Sequence, residues 1–448
     1  VTEEYNPQGD GGGLTFSIKV NVYGKEGESI IQINEPELDN GLIAVRYESN
    51  NWVKADTTNN NWYNYDEGEW ANAVTVTSTS LETYKSADAG TVINMDDIET
   101  MWVWIPRYSY TIGSEDGVNY YGKKGEYLTT NPTLSLPGEI DIRFINKTKK
   151  DRGSAKYKVS EGYTEDSWYT PDAFTFGNEE LKGLWVSKFA VSSSVTTEGN
   201  CGNGSSYINI KPNKITWRCE SMSNMHNNAL KLTKSGNSYG LSTDMNSHLM
   251  KNSEWGVVAY LSQSKYGKLG NPDYSGKNKQ VYANNDAQLS AKAGCSQGPS
   301  LNYDDCKYTY DVNLNGTGAS TTGTIYGIYD MVYNTTNLWV AVMGYVEDTP
   351  YPDDSGGFNT MPDLKYYDNY NFVDYNMNTL CNGGVCLSHA LSETEDWYGG
   401  RSNFPDEFNT WSRRGGDSSI FSVDAFDGEA DYMQEGSTTF HFTMSPTK

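Results

Sequence analysis

The chain is short of histidine, cysteine and positive charge. Four histidines occur in 448 residues, scattered at 226, 248, 389 and 441. No Cys-x-x-Cys is present, so the ligand spacing of a zinc site is missing. Lys and Arg number 34 against 58 Asp and Glu, a net charge of -24. Such a balance leaves no basic face for phosphates, which excludes nucleic acid as a partner, and it disfavours an anionic membrane surface equally. No apolar run is long enough to span a bilayer, so no membrane contact by this chain itself is expected. A Walker loop and His-Glu-x-x-His are both absent, which removes the nucleotide-binding and zinc-hydrolase classes that those motifs mark. No signal peptide is visible in the sequence, and a start at Val1 rather than Met is compatible with removal of an upstream leader or anchor.

Aromatics are abundant: 34 Tyr, 12 Trp and 13 Phe, alongside 44 Gly. Aromatic and turn-forming residues together indicate a β-rich protein with many loops. The apolar fraction is only 36%, but each aromatic ring buries a large area, so a core remains feasible. The acidity fits a protein kept soluble outside the cell.

The six cysteines fall in three close pairs, which suggests disulfides Cys201–Cys219, Cys295–Cys306 and Cys381–Cys386. Fifteen pairings are combinatorially open, and proximity alone selects these three. Disulfides would place the chain outside the cytosol, at an extracellular, bacterial cell-surface or virion-surface location.

Along the chain, Leu14 to Val22 alternates as a strand and pairs with Ser29 to Ile33 across a Gly-containing turn. Short strands are expected at Leu42–Tyr47, Trp52–Asp56, Trp62–Asp66 and Trp70–Val76. The most aromatic strand is Met101 to Tyr110, with Pro106 at a bulge or edge. Leu184 to Val191 and Leu338 to Met343 read as buried strands. Helical spacing appears at Ser221 to Leu230 and across Asp244 to Leu261, with Asn252-Ser253 as the cap of a second segment. Residues 347–388 read as a long surface loop. The expected fold class is α+β, mostly β with few short helices. A β region for assembly, stalk or linker would occupy 1–98 and the main domain 99–448.

Four stretches in order resemble the C-type-lectin fold of the formylglycine-generating-enzyme type. They are Gly183-Leu184-Trp185-Val186-Ser187-Lys188-Phe189, Asn252 to Leu261, Tyr326-Gly327-Ile328-Tyr329-Asp330-Met331 with Leu338-Trp339-Val340, and Arg414-Gly415-Gly416 with Phe440-His441-Phe442. The region from Leu38 to Tyr110 is similar to the leading part of bacterial prepilin-like surface proteins. The same fold serves the variable proteins of diversity-generating retroelements, which carry their ligand-binding residues in C-terminal strands and loops. Two departures stand out. Val332 to Asn337 replaces the Ser-Gly-Gly or Gly-Asn that follows Asp-Met, and His441 stands where the resemblance implies an arginine.

The resemblance also implies a reactive cysteine pair just after Arg-Gly-Gly in the enzymes. Here Asp417 to Asp424 contains none, and thiolate chemistry needs one. The expectation is therefore a non-enzymatic adhesin or pilus-like recognition protein that binds a protein or glycan on another cell or host. The alternative is a structural subunit of an extracellular filament, or a phage tail or capsid decoration that sets tropism, with self-assembly as its partner. An enzyme on the same fold is the third reading. The expected ligand-binding residues are Trp397, Tyr398, Arg401, Phe404, Arg413, Asp417, Ser419 and Asp424. By strand alternation Ile420 and Phe426 should point inward, and Asp417, Ser419 and Asp424 outward. No cofactor is expected beyond structural calcium at Asp363, Asp368 and Asp374.

Overall fold

The computed structural model describes residues 35–58, 61–112, 139–146, 169–193, 207–277, 279–284, 291–299, 306–334, 338–346, 355–372, 379–381, 384–394, 397–406, 408–416, 424–431 and 438–447. The chain clusters into two compact units, 1–32 and 33–448, and everything described lies in the second. The expected hairpin at 14–33 lies outside the described residues.

Two sheets carry the architecture, and the regular elements of the described residues are mostly strands, with three α-helices. The first sheet runs Ser247–Leu249, Phe442–Met444, Gly183–Ser187, Ile98–Pro106, Asn72–Val76, Ile43–Glu48, Asn51–Lys54. Its centre is Ile98–Pro106, buried along its whole length, as the run of apolar and aromatic residues predicts. Pro106 ends that strand rather than interrupting it, because it has no N–H for the ladder. The second sheet runs Gly384–Val385, Thr379–Cys381, Asp368–Phe372, Trp339–Val346, Trp411–Arg414, Gly428–Asp431, with Thr438–Phe440 parallel to Trp339–Val346. The chain crosses from the second sheet to the first at His441, between Phe440 and Phe442. The His441 imidazole Nδ1 lies 2.9 Å from the Ser187 hydroxyl there, which ties the crossing point to Gly183–Ser187.

The boundary expected at residue 98 does not appear. Asn72–Val76 pairs with Ile98–Pro106, and Ile43–Glu48 pairs with Asn72–Val76, so residues 43–76 extend the main sheet. Their side chains Val45, Trp70 and Val74 join the same core as Trp104, Trp185 and Trp255. Trp62–Asp66 is also not a strand, since a 3-10 turn at Tyr65–Glu67 occupies its end.

Helix α1 is Leu81–Ser86, α2 is Met222–Leu230 and α3 is Asn252–Ser262. The Ser221 side chain accepts from the Asn224 N–H, which starts α2 where the sequence placed it. The helix expected from Asp244 splits. Thr243–Met245 is a 3-10 turn, Asn246 takes φ +45°, Ser247–Leu249 pairs with Phe442–Met444, and only Asn252 onward is α-helical. Sheet pairing overrides the helical spacing there. The loop expected over 347–388 likewise contributes three strands to the second sheet.

Cys295 and Cys306 form the expected disulfide. Cys219 and Cys386 are disulfide-bonded as well. Cys201 and the Cys381 side chain lie outside what is described, and so do the other two pairings.

Several carboxylates sit inside this core. Glu393 is buried and accepts hydrogen bonds from the Tyr110 hydroxyl at 2.7 Å, from the Tyr260 hydroxyl at 2.7 Å and from the Ser388 N–H. Burial pushes its carboxyl up to about 7 against the pull of these donors. The folded state then holds the proton more tightly than the unfolded chain, so Glu393 costs stability as pH rises from about 4.5 to about 7. Asp330, raised to about 6 by burial, acts in the same direction. In denaturant titrations Glu393→Gln should flatten this decline by roughly 2–3 kcal/mol. An unchanged slope would show that the site is wetter than its geometry indicates.

Candidate functional site

The expected ligand-binding region is built on Trp411–Arg414, which pairs on one side with Trp339–Val346 and on the other with Gly428–Asp431. The two adjacent arginines do different work. Arg414 is fully buried. Its guanidinium donates to the carbonyls of Ala390 at 2.7 Å and of His389 and Phe426 at 3.2 Å. A longer contact of 3.4 Å reaches the Asn252 side chain at the start of α3. Arg414 thus ties α3 to two loops of the C-terminal region. The glycines after it let this happen. A Cβ on Gly415, at φ +61°, would sit 1.9 Å from the Met331 carbonyl, and one on Gly416 would strike the Leu338 carbonyl at 2.3 Å.

Arg413 faces outward. It lies over the Trp339 ring at 4.6 Å, which fixes its direction. It pairs with Glu429 at 3.2 Å and with Asp431, while Arg401 pairs with Glu429 from the next loop. The four side chains form a ladder across the strand pair. Arg401 stays 24% exposed and Arg413 21%.

Other expected contacts sit elsewhere. Trp397 is 1% exposed and packs on Phe426 at 5.0 Å, so it is a core residue. Asp424 is also buried. Alternation fails for it because residues 424–427 form a turn, in which the Asp424 carboxylate accepts the Phe426 N–H at 2.7 Å. Phe426 points inward as expected. Tyr398 is half-buried, with its hydroxyl donating to Gln263 at 3.0 Å. Phe404 is half-buried against Tyr370. Asp417 and Ser419 lie outside the described residues. Of the six described among the eight expected residues, the ladder brings together Arg401 and Arg413.

A polar cleft of about 430 Å³ lies beside the start of α3, lined by Asp172, Lys251, Asp368, Asn369 and His389 among others. Asp368 accepts the Ser253 N–H at 2.6 Å and the Ser253 hydroxyl at 2.9 Å. The His389 Nδ1 lies 2.7 Å from the Tyr370 hydroxyl and 4.0 Å from Asp368. Burial holds the His389 imidazole below its ordinary range, outweighing the pull of Asp368. Neutral histidine, lysine and carboxylate therefore share one wall. Sequence reading missed Asp172, Lys251 and His389 because they are far apart in the chain and carry no motif. The calcium expectation meets this cleft too. Asp363 accepts the Lys365 N–H at 3.1 Å and Asp368 is taken up by Ser253, while Asp374 is undescribed. Among the described residues no three His, Cys, Asp or Glu side chains cluster to hold a metal ion, and none of the described helices is long and apolar enough to cross a membrane.

No protein-family model matches the chain, and no curated protein matches it either. The geometry makes a sharp distinction between the neighbouring arginines. Arg414→Lys should cost roughly 3–5 kcal/mol in chemical denaturation, since three buried carbonyls lose their planar donor. Arg413→Ala should cost about 0–1 kcal/mol, as a partly exposed pair does. Equal costs would contradict the assignment of one to the core and the other to the surface.

Proposed function

We propose that the chain is a non-enzymatic recognition protein of the secreted or cell-surface kind, with a lectin-like fold of the formylglycine-generating-enzyme subtype. Its binding face is the strand pair Trp411–Arg414 and Gly428–Asp431. The observation that carries this reading is the Arg401–Glu429–Arg413–Asp431 ladder. It sets two guanidinium groups, each about a fifth to a quarter exposed, on a surface whose underside is locked by Arg414 and Trp339. Partly exposed arginines on a rigid aromatic base are the anchors that interfaces use, and rigidity lowers the entropic cost of docking. The disulfides support an oxidising location. The missing cysteine after Arg414-Gly415-Gly416 supports binding over thiol oxidation. The partner is a protein or glycan presented on another cell.

The test is binding of labelled protein to a panel of host and bacterial cells, with Arg401→Ala/Arg413→Ala alongside. The double variant should lose at least tenfold in apparent affinity, about 1.4 kcal/mol, while its melting temperature stays within a few degrees. Undiminished binding by a folded double variant would move the face elsewhere.

A further inference from the structure

A second cleft, of about 610 Å³, opens on the opposite edge of the first sheet's strand order from Ser247–Leu249, against Asn51–Lys54. Its volume falls in the range of about 300–1,000 Å³ that small-molecule sites occupy. Tyr47, Trp52 and Tyr310 give it an aromatic lining, and Asn50, Asn213 and Asp311 contribute polar groups.

The aromatic part is fixed in advance. Tyr47 meets Trp52 edge-on at 5.3 Å. The Trp52 indole N–H donates to the Tyr310 hydroxyl at 3.3 Å, and the Lys188 ammonium lies 5.1 Å from the Trp52 ring. Lys188 is itself buried and held by the carbonyls of Ile325 at 2.6 Å and Gly327 at 2.9 Å. Such preorganisation removes much of the ordering cost of binding.

Several polar groups of the lining have capacity left over. The Tyr310 hydroxyl accepts from Trp52 and keeps its own proton to donate. Among the described residues the Tyr47 hydroxyl and the side-chain amides of Asn50 and Asn213 make no hydrogen bond, while the Asn213 backbone N–H donates to Ala293 at 2.9 Å. Asn50 and Asn213 are exposed, with φ of +62° and +61°.

The chemistry of the occupant follows by elimination. An extended peptide would need a free strand edge, but the Lys54 N–H already donates to Thr91 at 2.8 Å, and the Ile93 N–H to Trp52 at 2.9 Å. Residues 91–93 therefore cover the outer edge of Asn51–Lys54. A phosphate or other strong anion would need unspent positive charge. Lys211 is committed to the carbonyls of Met95 at 3.1 Å and Ile98 at 2.8 Å, and Asp96 and Asp311 balance Lys211 and Lys214 in the lining. What fits is a neutral molecule with an apolar face and a rim of hydroxyls that both donate and accept. The half-buried Tyr47 ring, backed by the buried Trp52 and Tyr310, suits the first, and the side-chain amides of Asn50 and Asn213 with the Tyr47 hydroxyl suit the second.

We infer that the Tyr47–Trp52–Tyr310 cleft is a binding site for a neutral oligosaccharide, separate from the arginine ladder. Calorimetric titration with maltotriose, cellotriose, mannotriose and triacetylchitotriose tests it, with a sulfated heparin oligosaccharide as the charged comparison. At least one neutral trisaccharide should saturate a single site at submillimolar concentration. Asn50→Gly/Asn213→Gly removes both amides while tolerating positive φ, and Tyr47→Phe removes only a hydroxyl. The double amide variant should weaken binding at least tenfold and Tyr47→Phe severalfold, with unchanged melting temperatures. Arg401→Ala/Arg413→Ala should leave this binding untouched, so loss of either site is read independently. No saturation by any neutral sugar at millimolar concentration, preference for the sulfated probe, or full binding by the folded cleft variants would each overturn the assignment.

Discussion

A buried guanidinium that donates to backbone carbonyls and a side-chain amide holds the C-terminal half together. Arg414 donates through its two terminal nitrogens to the carbonyls of His389, Ala390 and Phe426, and touches Asn252. Burial draws its pKa down to about 10, so it stays charged at neutral pH. Everything in the C-terminal region rests on this. The 389–390 loop forms one wall of the polar cleft, the 424–427 turn sets the direction of Gly428–Asp431, and α3 carries Trp255 into the core. Loss of the guanidinium would leave several buried carbonyls without a donor at once, which is why the residue admits no simple replacement.

The same logic recurs elsewhere in the core. Lys188, with no ion-pair partner among the described residues, is fixed by two carbonyls and an aromatic surround, and burial lowers its pKa well below the ordinary range. Asp330, at φ +60°, is its counterpart in negative charge, accepting from Ala190, Asn284 and Gly294. Buried polar groups of this kind are costly to bury and specify one arrangement of the loops that meet them. A chain with few aliphatic residues and many loops gains definition from such hubs as well as from packing.

The strands with dense aromatic or β-branched runs were legible in the sequence, and so was α2, where Ser221 marks the start. The Cys295–Cys306 pairing followed from proximity. Legibility failed where sheet pairing outweighed local pattern, as at Ser247–Leu249, and where a turn replaced a strand, as at Asp424. The extent of the first sheet was hidden because strand partners far apart in the chain leave no local mark: nothing near Asn72 announces Val103. At the candidate site, Arg401 and Arg413 were identifiable as surface anchors by type. The burial of Trp397 was not, since an aromatic beside glycines reads equally as contact or core. The clefts were invisible for the same reason as the sheet: Lys251 and His389, or Tyr47 and Tyr310, meet only in three dimensions.

The central claim is that the C-terminal strand pair is a rigid platform anchored by Arg414, and not a mobile loop region that orders on contact. Native-state hydrogen exchange, read residue by residue, tests it most directly. The account predicts that the paired amides of Trp411–Arg414 open only with the same free energy as those of Ile98–Pro106, through global unfolding. Opening of Trp411–Arg414 at a free energy several kcal/mol lower, while Ile98–Pro106 stays protected, would contradict it.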